Sequence, residues 1–258
     1  NQNFNTGSEY RLQSVYGDEI ALKLMRSGLT SDNFENSRVL EVCGGTGFLT
    51  YHLHQMYRPK DYTFNDISSS EMEVAQILLS SSGHNDISWA LGDMHTLDFE
   101  KASYDIVIGN SFLHHFHNLP QALSKIFDLL RPGGLFISLH EPTPMSTVVE
   151  GAKLIAYPVG LLSPTLVNEI ARSRYVGPIS STDIWMFRPQ HLKRLATTLG
   201  FSNVRTIPWG LFRPIVVQKS KLHLNSNFQR LRADQEKLLE RSVHLDSIVN
   251  RFLPSRFF

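Results

Sequence analysis

One cysteine, Cys43, is present in 258 residues. No disulfide framework can form within such a chain, and a reducing compartment, the cytoplasm, is the expectation. Basic runs are missing as well. The formal net charge is +1, and without a stripe of Lys and Arg to track phosphates a nucleic-acid partner is not expected. Charged residues make up 19% and apolar ones 41%, an ordinary globular balance that excludes a disordered chain. No apolar run reaches the ~20 residues of a membrane span. The most apolar stretch, LIAYPVGLLSPTLV at 154–167, is broken by Pro158, Gly160 and Pro164. The opening residues carry no signal-peptide pattern. They begin at Asn1, not Met, as expected of one domain from a longer polypeptide. At this length a full core can be buried, in one domain with an elaboration.

What is present is alternation. Residues 9–27 carry Leu12, Val15, Tyr16, Ile20, Leu22 and Leu24 at helical spacing and close at Gly28. RVLEV (38–42) reads as a strand, and 47–57 as a helix with Phe48, Leu49, Leu53 and Met56 on its core face. DYTFND (61–66) is a second strand, followed by a helix whose Ser68 and Glu71 form a capping box. Strands follow at 86–93 and 104–110. A helix from Pro120 then ends at RPGG (131–134), before a fifth strand over 135–142. Five strands with helical crossovers predict a doubly wound, parallel α/β sheet. Its ligand crevice lies beyond the carboxyl ends of the strands, which gathers 43–47, 66–67, 93–94, 110–117 and 140–141 around one mouth.

Residues 143–188 break the pattern. They are proline-dotted and mostly apolar, and read as an inserted substrate lid after the fifth strand. A helix at 189–200 and strands at 201–207 and 212–218 resume the alternation. The expected domains are a helical cap (1–34), the sheet domain (35–142 and 189–220), the lid (143–188) and a helical tail (221–258). The tail repeats leucine every seven residues, but its companion positions are polar. A helix docked on its own domain, or on a partner, is preferred there to a coiled coil.

The turn after the first strand, Cys43-Gly44-Gly45-Thr46-Gly47, is built to hold something. A dinucleotide fingerprint needs a third glycine, and Thr50 stands in its place; a phosphate loop needs a Lys followed by Ser or Thr, and none is present. Glu41 lies two residues before the turn. A carboxylate there repels pyrophosphate but suits an ammonium or sulfonium group. Asp66, ending the second strand, can accept both hydroxyls of a ribose, and Asp93, ending the third, can accept from an adenine amino group. Together these describe S-adenosylmethionine.

At this point the sequence resembles the class I S-adenosylmethionine-dependent methyltransferases. VLEVCGGTGFLT looks like their glycine-rich motif, FNDIS their ribose-binding acidic motif and GDMHTLDF their adenine-contacting segment. YDIVIGNSFLHHF and LLRPGGLFIS resemble the fourth strand and the turn into the fifth. The resemblance implies that Asp66 holds the ribose, that Ile67 and Met94 flank the adenine, and that Asp93 binds its amino group. It further implies that main-chain groups near Gly45 and Asn110 meet the methionine part, and that the Rossmann-like sheet has seven mostly parallel strands with the last antiparallel. Cys43 departs from the pattern, standing where the family usually has its first glycine. It is read as a small packed residue, not a nucleophile.

Methyl transfer needs alignment and exclusion of water, and a base if the acceptor is a hydroxyl. FLHHFH and LHEP supply a titratable cluster at the mouth. His115 and His140 rank first as bases, then His114 and Glu141; the alternative is that some only shape the pocket. No metal site is expected, because no carboxylate or cysteine shares a ligand spacing with them. The lid's Tyr157, Leu161, Leu162, Tyr175, Trp185, Met186 and Phe187 suit a small or medium apolar acceptor: a natural-product, lipid or peptide intermediate, methylated on oxygen in the first instance, on nitrogen or carbon in the second. The rival classes are a non-methylating S-adenosylmethionine enzyme, a non-catalytic partner module and, more distantly, a nicotinamide dehydrogenase.

Overall fold

The computed structural model describes residues 34–59, 61–142 and 187–207, with Leu24, Lys237, Arg241, Ser242, His244, Leu245 and Ile248. The chain divides into two compact units, 30–206 with 256–258, and 1–29 with 207–255. The first unit carries the sheet; in the second, Leu24 and the described residues between 237 and 248 are helical, and Ile207 is not.

The sheet unit runs β1 (Arg38–Glu41), α1 (Phe48–Tyr57), β2 (Asp61–Asp66), α2 (Ser69–Ser81), β3 (Ile87–Leu91) and β4 (Tyr104–Asn110). A single turn of 3-10 helix (Leu113–His115) then leads to α3 (Leu119–Leu129), β5 (Leu130–Leu139) and α4 (Pro189–Thr198). The strand order is β3-β2-β1-β4-β5 and every pairing is parallel. The chain moves outward from β1 to β3, then crosses back to β4. The order therefore reverses between β1 and β4, and the loops there diverge and leave a crevice.

Alternation along the strands sorts side chains to two apolar faces. On one, Leu40, Val42 and Val107 join Tyr104, Leu123, Ile126, Leu129 and Phe187 in a buried cluster, with Leu192, Leu195 and Phe201 packed against it. On the other, Tyr62 and Phe64 are buried together with Leu49 and Leu53 of α1 and Ala75 and Leu79 of α2. Ser68 caps α2 by accepting the Glu71 N–H at 3.3 Å. The other half of the expected capping box is taken by Asp66, whose Oδ1 accepts the Ser68 N–H at 2.8 Å. Glu71 is thereby released for another use. Asn118 caps α3 by accepting from the Gln121 N–H.

Beyond shifts of one or two residues at strand and helix ends, three differences from the sequence expectation stand out. RPGG belongs to β5, whose register with β4 jumps from Tyr104–Leu130 to Ile106–Leu135, so these residues bulge out of the ladder. The strand stops at Leu139 because His140 turns left-handed, with φ 56°. Residues 201–207 are not a strand: Asn203 has φ 55°, which interrupts an extended run, and no ladder partner lies among the described residues. The expected strand at 212–218, the lid over 143–186, the cap helices before Leu24 and most of the tail lie outside the described residues. No described helix is long and apolar enough to cross a membrane.

Candidate functional site

The glycine turn leaves β1 at the reversal point. The Val42 N–H still bonds to the Ile108 carbonyl of β4 at 2.9 Å, and the Gly44 N–H bonds to the Asn65 carbonyl of β2 at 2.9 Å. The turn is thus pinned to both neighbouring strands. Two glycines are required by close approach. A Cβ at Gly44 would stand 2.2 Å from the Phe64 ring. One at Gly47 would meet the Ala75 Cβ of α2 at 2.8 Å, and its φ of 78° is left-handed. Gly47 therefore supplies the close helix packing for which the dinucleotide fingerprint uses its third glycine.

Cys43 also adopts a left-handed backbone, with φ 52°, in spite of its side chain. Burial pushes its thiol up to about 12, helped by the charges of Asp66, Asp93, Glu141 and Glu41. A thiol so held is no nucleophile at neutral pH. Ser111 after β4 and His140 after β5 share this conformation, with φ 57° and 56°. Each such residue costs about 1–2 kcal/mol. Strain collected at the carboxyl ends of three strands is typical of a functional edge.

Asp66 is tied by both oxygens: Oδ2 accepts the Gly45 N–H at 2.7 Å, and Oδ1 the Ser68 N–H. Each oxygen keeps a further lone pair for a ligand. Asn65 beside it donates to the Ala90 and Gly92 carbonyls, at 2.8 and 2.9 Å, and so fixes the end of β3. Asp93 accepts the His95 N–H at 2.9 Å. Glu41 is buried at the end of β1 and accepts from the Thr50 hydroxyl of α1 and the Tyr62 hydroxyl of β2, both through Oε2. Burial raises its carboxyl to about 7 against the pull of those two donors.

The histidine cluster divides. Glu141 accepts the backbone N–H groups of Phe112, Leu113 and His114, the Ser138 hydroxyl at 2.6 Å, and the His114 Nδ1–H at 2.9 Å. Burial would raise its carboxyl, but these donors together hold it below the ordinary carboxylate range. It is a brace between β5 and the turn after β4. His114, with its ring buried, belongs to that brace. His115 is exposed at the crevice, its ring centroid 4.1 Å from that of His114. His140 donates from Nδ1 to Asn110 Oδ1 at 2.6 Å.

These elements enclose a cavity of about 490 Å3 lined by Glu41, Cys43, Gly44, Gly45, Thr46, Phe48, Leu49, Asp66, Ile67, Glu71, Asn110, Ser111 and His115. That volume suits a small-molecule ligand. Of the expected residues, Glu41, Cys43, Gly44, Gly45, Asp66, Ile67, Asn110 and His115 are brought together. Gly47, Asp93, Met94, His114, His140 and Glu141 are not on the wall. Met94, expected beside an adenine, is buried in the core with Val42, Phe112 and Leu113. Ile67 is 70% exposed, an apolar side chain held out at the cavity rim. The lining carries three carboxylates and, among the described residues, no Lys or Arg. That balance disfavours a phosphate-bearing ligand and favours a cationic one. No three His, Cys, Asp or Glu side chains converge as a metal site among the described residues.

Residues 39–134 match the family profile of a methyltransferase domain. The sheet around that stretch has the Rossmann-like methyltransferase fold. The demethylmenaquinone methyltransferase of Leptospira interrogans is 27% identical over 139 residues, 53% of this chain and 53% of that protein. A non-reducing polyketide synthase of Stereocaulon alpinum is 38% identical over 117 residues, 41% of this chain but 4% of the synthase. The chain thus spans about half the length of the first of these relatives, and a small part of the second. Among solved structures, phosphoethanolamine N-methyltransferase 2 of Haemonchus contortus, in complex with S-adenosyl-L-methionine, shares the fold with a TM-score of 0.57. It is 16% identical, and the match covers 90% of this chain and 49% of that one.

Thr46 and Ser111 lie in segments expected at the mouth, whereas Phe48, Leu49 and Glu71 are lining residues outside those segments. Helical periodicity places Phe48 on the core face, but as the first residue of α1 it lines the cavity beside the glycine turn. Glu71 was assigned to a capping box, and only the competing bond from Asp66 to Ser68 sends it elsewhere. Neither could be read without the neighbouring strand in place.

Proposed function

We propose that this chain binds S-adenosylmethionine in the cavity between β1 and β4 and transfers its methyl group to a small or medium, fairly apolar acceptor, releasing S-adenosylhomocysteine. The observation that carries the reading is the wall itself: a buried carboxylate, Glu41, and a strand-end carboxylate, Asp66, on either side of a glycine turn that lets main chain approach a ligand. Glu41 Oε1 is buried and has no hydrogen-bond partner among the described residues, which fits a ligand that brings an ammonium group. Asp66 would take the ribose hydroxyls on its remaining lone pairs, Gly44 and Gly45 would lie under the amino-acid part, and Ile67 would cover the adenine. Asp93 and Asn110 would complete the set from the rim. When bound, the cofactor supplies an electrophilic methyl carbon on a sulfonium.

The chain's own residues do the rest. His115 is the proposed base, since its exposed ring lines the cavity and can take the proton of an acceptor hydroxyl. Glu141 and His114 hold the turn that presents it. His140, fixed by Asn110 at the lip, is the alternative base. An acceptor on oxygen makes the fullest use of these groups; one on nitrogen or carbon remains the second choice. The Phe187 N–H donates to the Pro142 carbonyl at 2.8 Å, so the two residues that flank 143–186 meet at one point of the sheet domain, in keeping with an insertion there. The relative within a polyketide synthase supports a place in a larger biosynthetic enzyme.

The test is calorimetric titration with S-adenosylmethionine and S-adenosylhomocysteine, followed by acceptor screening for the mass of one added methyl. Asp66→Ala should abolish the binding. His115→Ala should bind the cofactor normally and lose turnover about 10²–10⁴-fold. A folded wild-type chain that binds neither compound overturns the proposal.

A further inference from the structure

The floor of the cavity contains a polar network that no contact with a ligand explains. Thr50, two residues into α1, and Tyr62, the second residue of β2, both donate their hydroxyls to the same oxygen of Glu41, Oε2. Thr50 and Glu41 are 0% and 1% exposed, and Tyr62 is 1% exposed. The other oxygen, Oε1, is buried without a partner among the described residues, on a side chain that lines the cavity. Two hydroxyls on one oxygen, and none on its twin, hold the carboxyl plane in one orientation. An unpaired buried carboxylate oxygen is costly, and a cationic ligand relieves that cost.

We propose that Thr50 and Tyr62 are positioning residues that aim Glu41 at the cationic amino-acid end of the cofactor, so that binding expels a proton from Glu41. The inference rests on the cofactor reading above. In the free protein the buried carboxyl holds its proton to near neutrality, burial outweighing the two hydroxyl donors. The groups around it are Thr50 from α1, Tyr62 and Asp66 from β2 and Cys43 from the turn, with Glu71 and His115 lining the same cavity. Asp66 adds to the upward push, being negative. An incoming ammonium reverses the balance. The carboxyl O–H releases its proton to solvent, and the carboxylate left behind pairs through Oε1 with the ligand.

The experiment uses S-adenosylhomocysteine, titrated calorimetrically into the full chain between pH 5.5 and 8 in buffers of different ionisation heat. For the wild type, affinity should rise about tenfold per pH unit on the acid side and level off above neutrality, with up to one proton released per ligand. Tyr62→Phe and Thr50→Val each remove a donor to the charged form, so the levelling point should move up by about one pH unit. Affinity should then approach the wild-type value at the alkaline end. Glu41→Gln should bind weakly and without pH dependence. A purely structural role for the hydroxyls would lower affinity equally at every pH, and that result overturns the inference. So does a wild-type affinity flat in pH with heats independent of buffer, a measurement that needs no variant. A folded wild type that binds at no pH removes the cofactor reading and this inference together, whereas pH-flat binding removes this inference alone.

Discussion

Gly47 offers the sharpest test of how the ligand turn is held. The last residue of the turn, it is the N-cap of α1 and stands directly against α2. Replacing it with alanine asks for two things at once. The backbone has φ 78°, where a Cβ costs about 1–2 kcal/mol. The new methyl would stand 2.8 Å from the Ala75 Cβ, 3.2 Å from the Ala75 Cα and 3.2 Å from Leu79 Cδ1. Two of those atoms belong to, or sit directly on, the α2 backbone and cannot swing away, so about 1–3 kcal/mol of overpacking is added. A gain of about 0.5 kcal/mol from the stiffer unfolded chain opposes them. Gly47→Ala should therefore cost about 2–4 kcal/mol in urea unfolding, a large share of a typical domain's 5–15 kcal/mol. Ala75→Gly separates the two causes. It removes the nearest contact and leaves the backbone strain, so the double variant should be about 1–2 kcal/mol more stable than the sum of the single ones. A cost below 1 kcal/mol for Gly47→Ala, or no coupling with Ala75→Gly, would refute the reasoning that this glycine is there for helix packing.

The acid limb of stability should report the buried histidines of α1. Burial lowers His52 and His54 to about 4 from an ordinary 6.5, so between those values the unfolded chain binds protons that the folded chain refuses. Stability from this source is full above pH 6.5 and lost as pH falls toward 4, by about 2 kcal/mol per ring once residual water contact is allowed for. Glu41 works in the opposite direction over much of that range, its carboxyl being raised, so a single wild-type curve mixes the two. The stability of His52→Leu minus that of the wild type isolates the histidine and should grow as pH falls from 7.5 to 4.5; parallel curves would sink the idea. Glu141→Gln replaces an acceptor that serves five donors, three of them backbone N–H groups, with an amide whose NH2 must face one of them. It should cost about 2–4 kcal/mol in unfolding and lower turnover through the turn carrying His115. Wild-type stability from this carboxylate is present above the ordinary carboxylate range and lost as pH drops through its lowered value. Unchanged stability would show that the brace carries no weight.

Much of this protein follows from local sequence. The strands over 61–66 and 104–110 were readable to the residue, because an apolar run ending in a carboxylate or amide at a strand end leaves little freedom of register. That the glycine turn, Asp66 and Glu41 share one cavity wall was readable because their place depends on position along the chain: glycine after a strand, acid at the next strand's end. Tertiary structure decided which histidine faces the cavity. His114 and His115 are adjacent and chemically equal in the sequence. Glu141, just beyond the end of β5 and 27 residues after His114, claims the backbone N–H and the ring of the first among its five converging bonds and leaves the second at the mouth. In the same way Asp66 took the Ser68 N–H and freed Glu71, and Ala75 made Gly47 a packing residue. Each outcome depends on which donor or methyl group arrives from another strand or helix, and that is settled only when the sheet has closed around the reversal between β1 and β4.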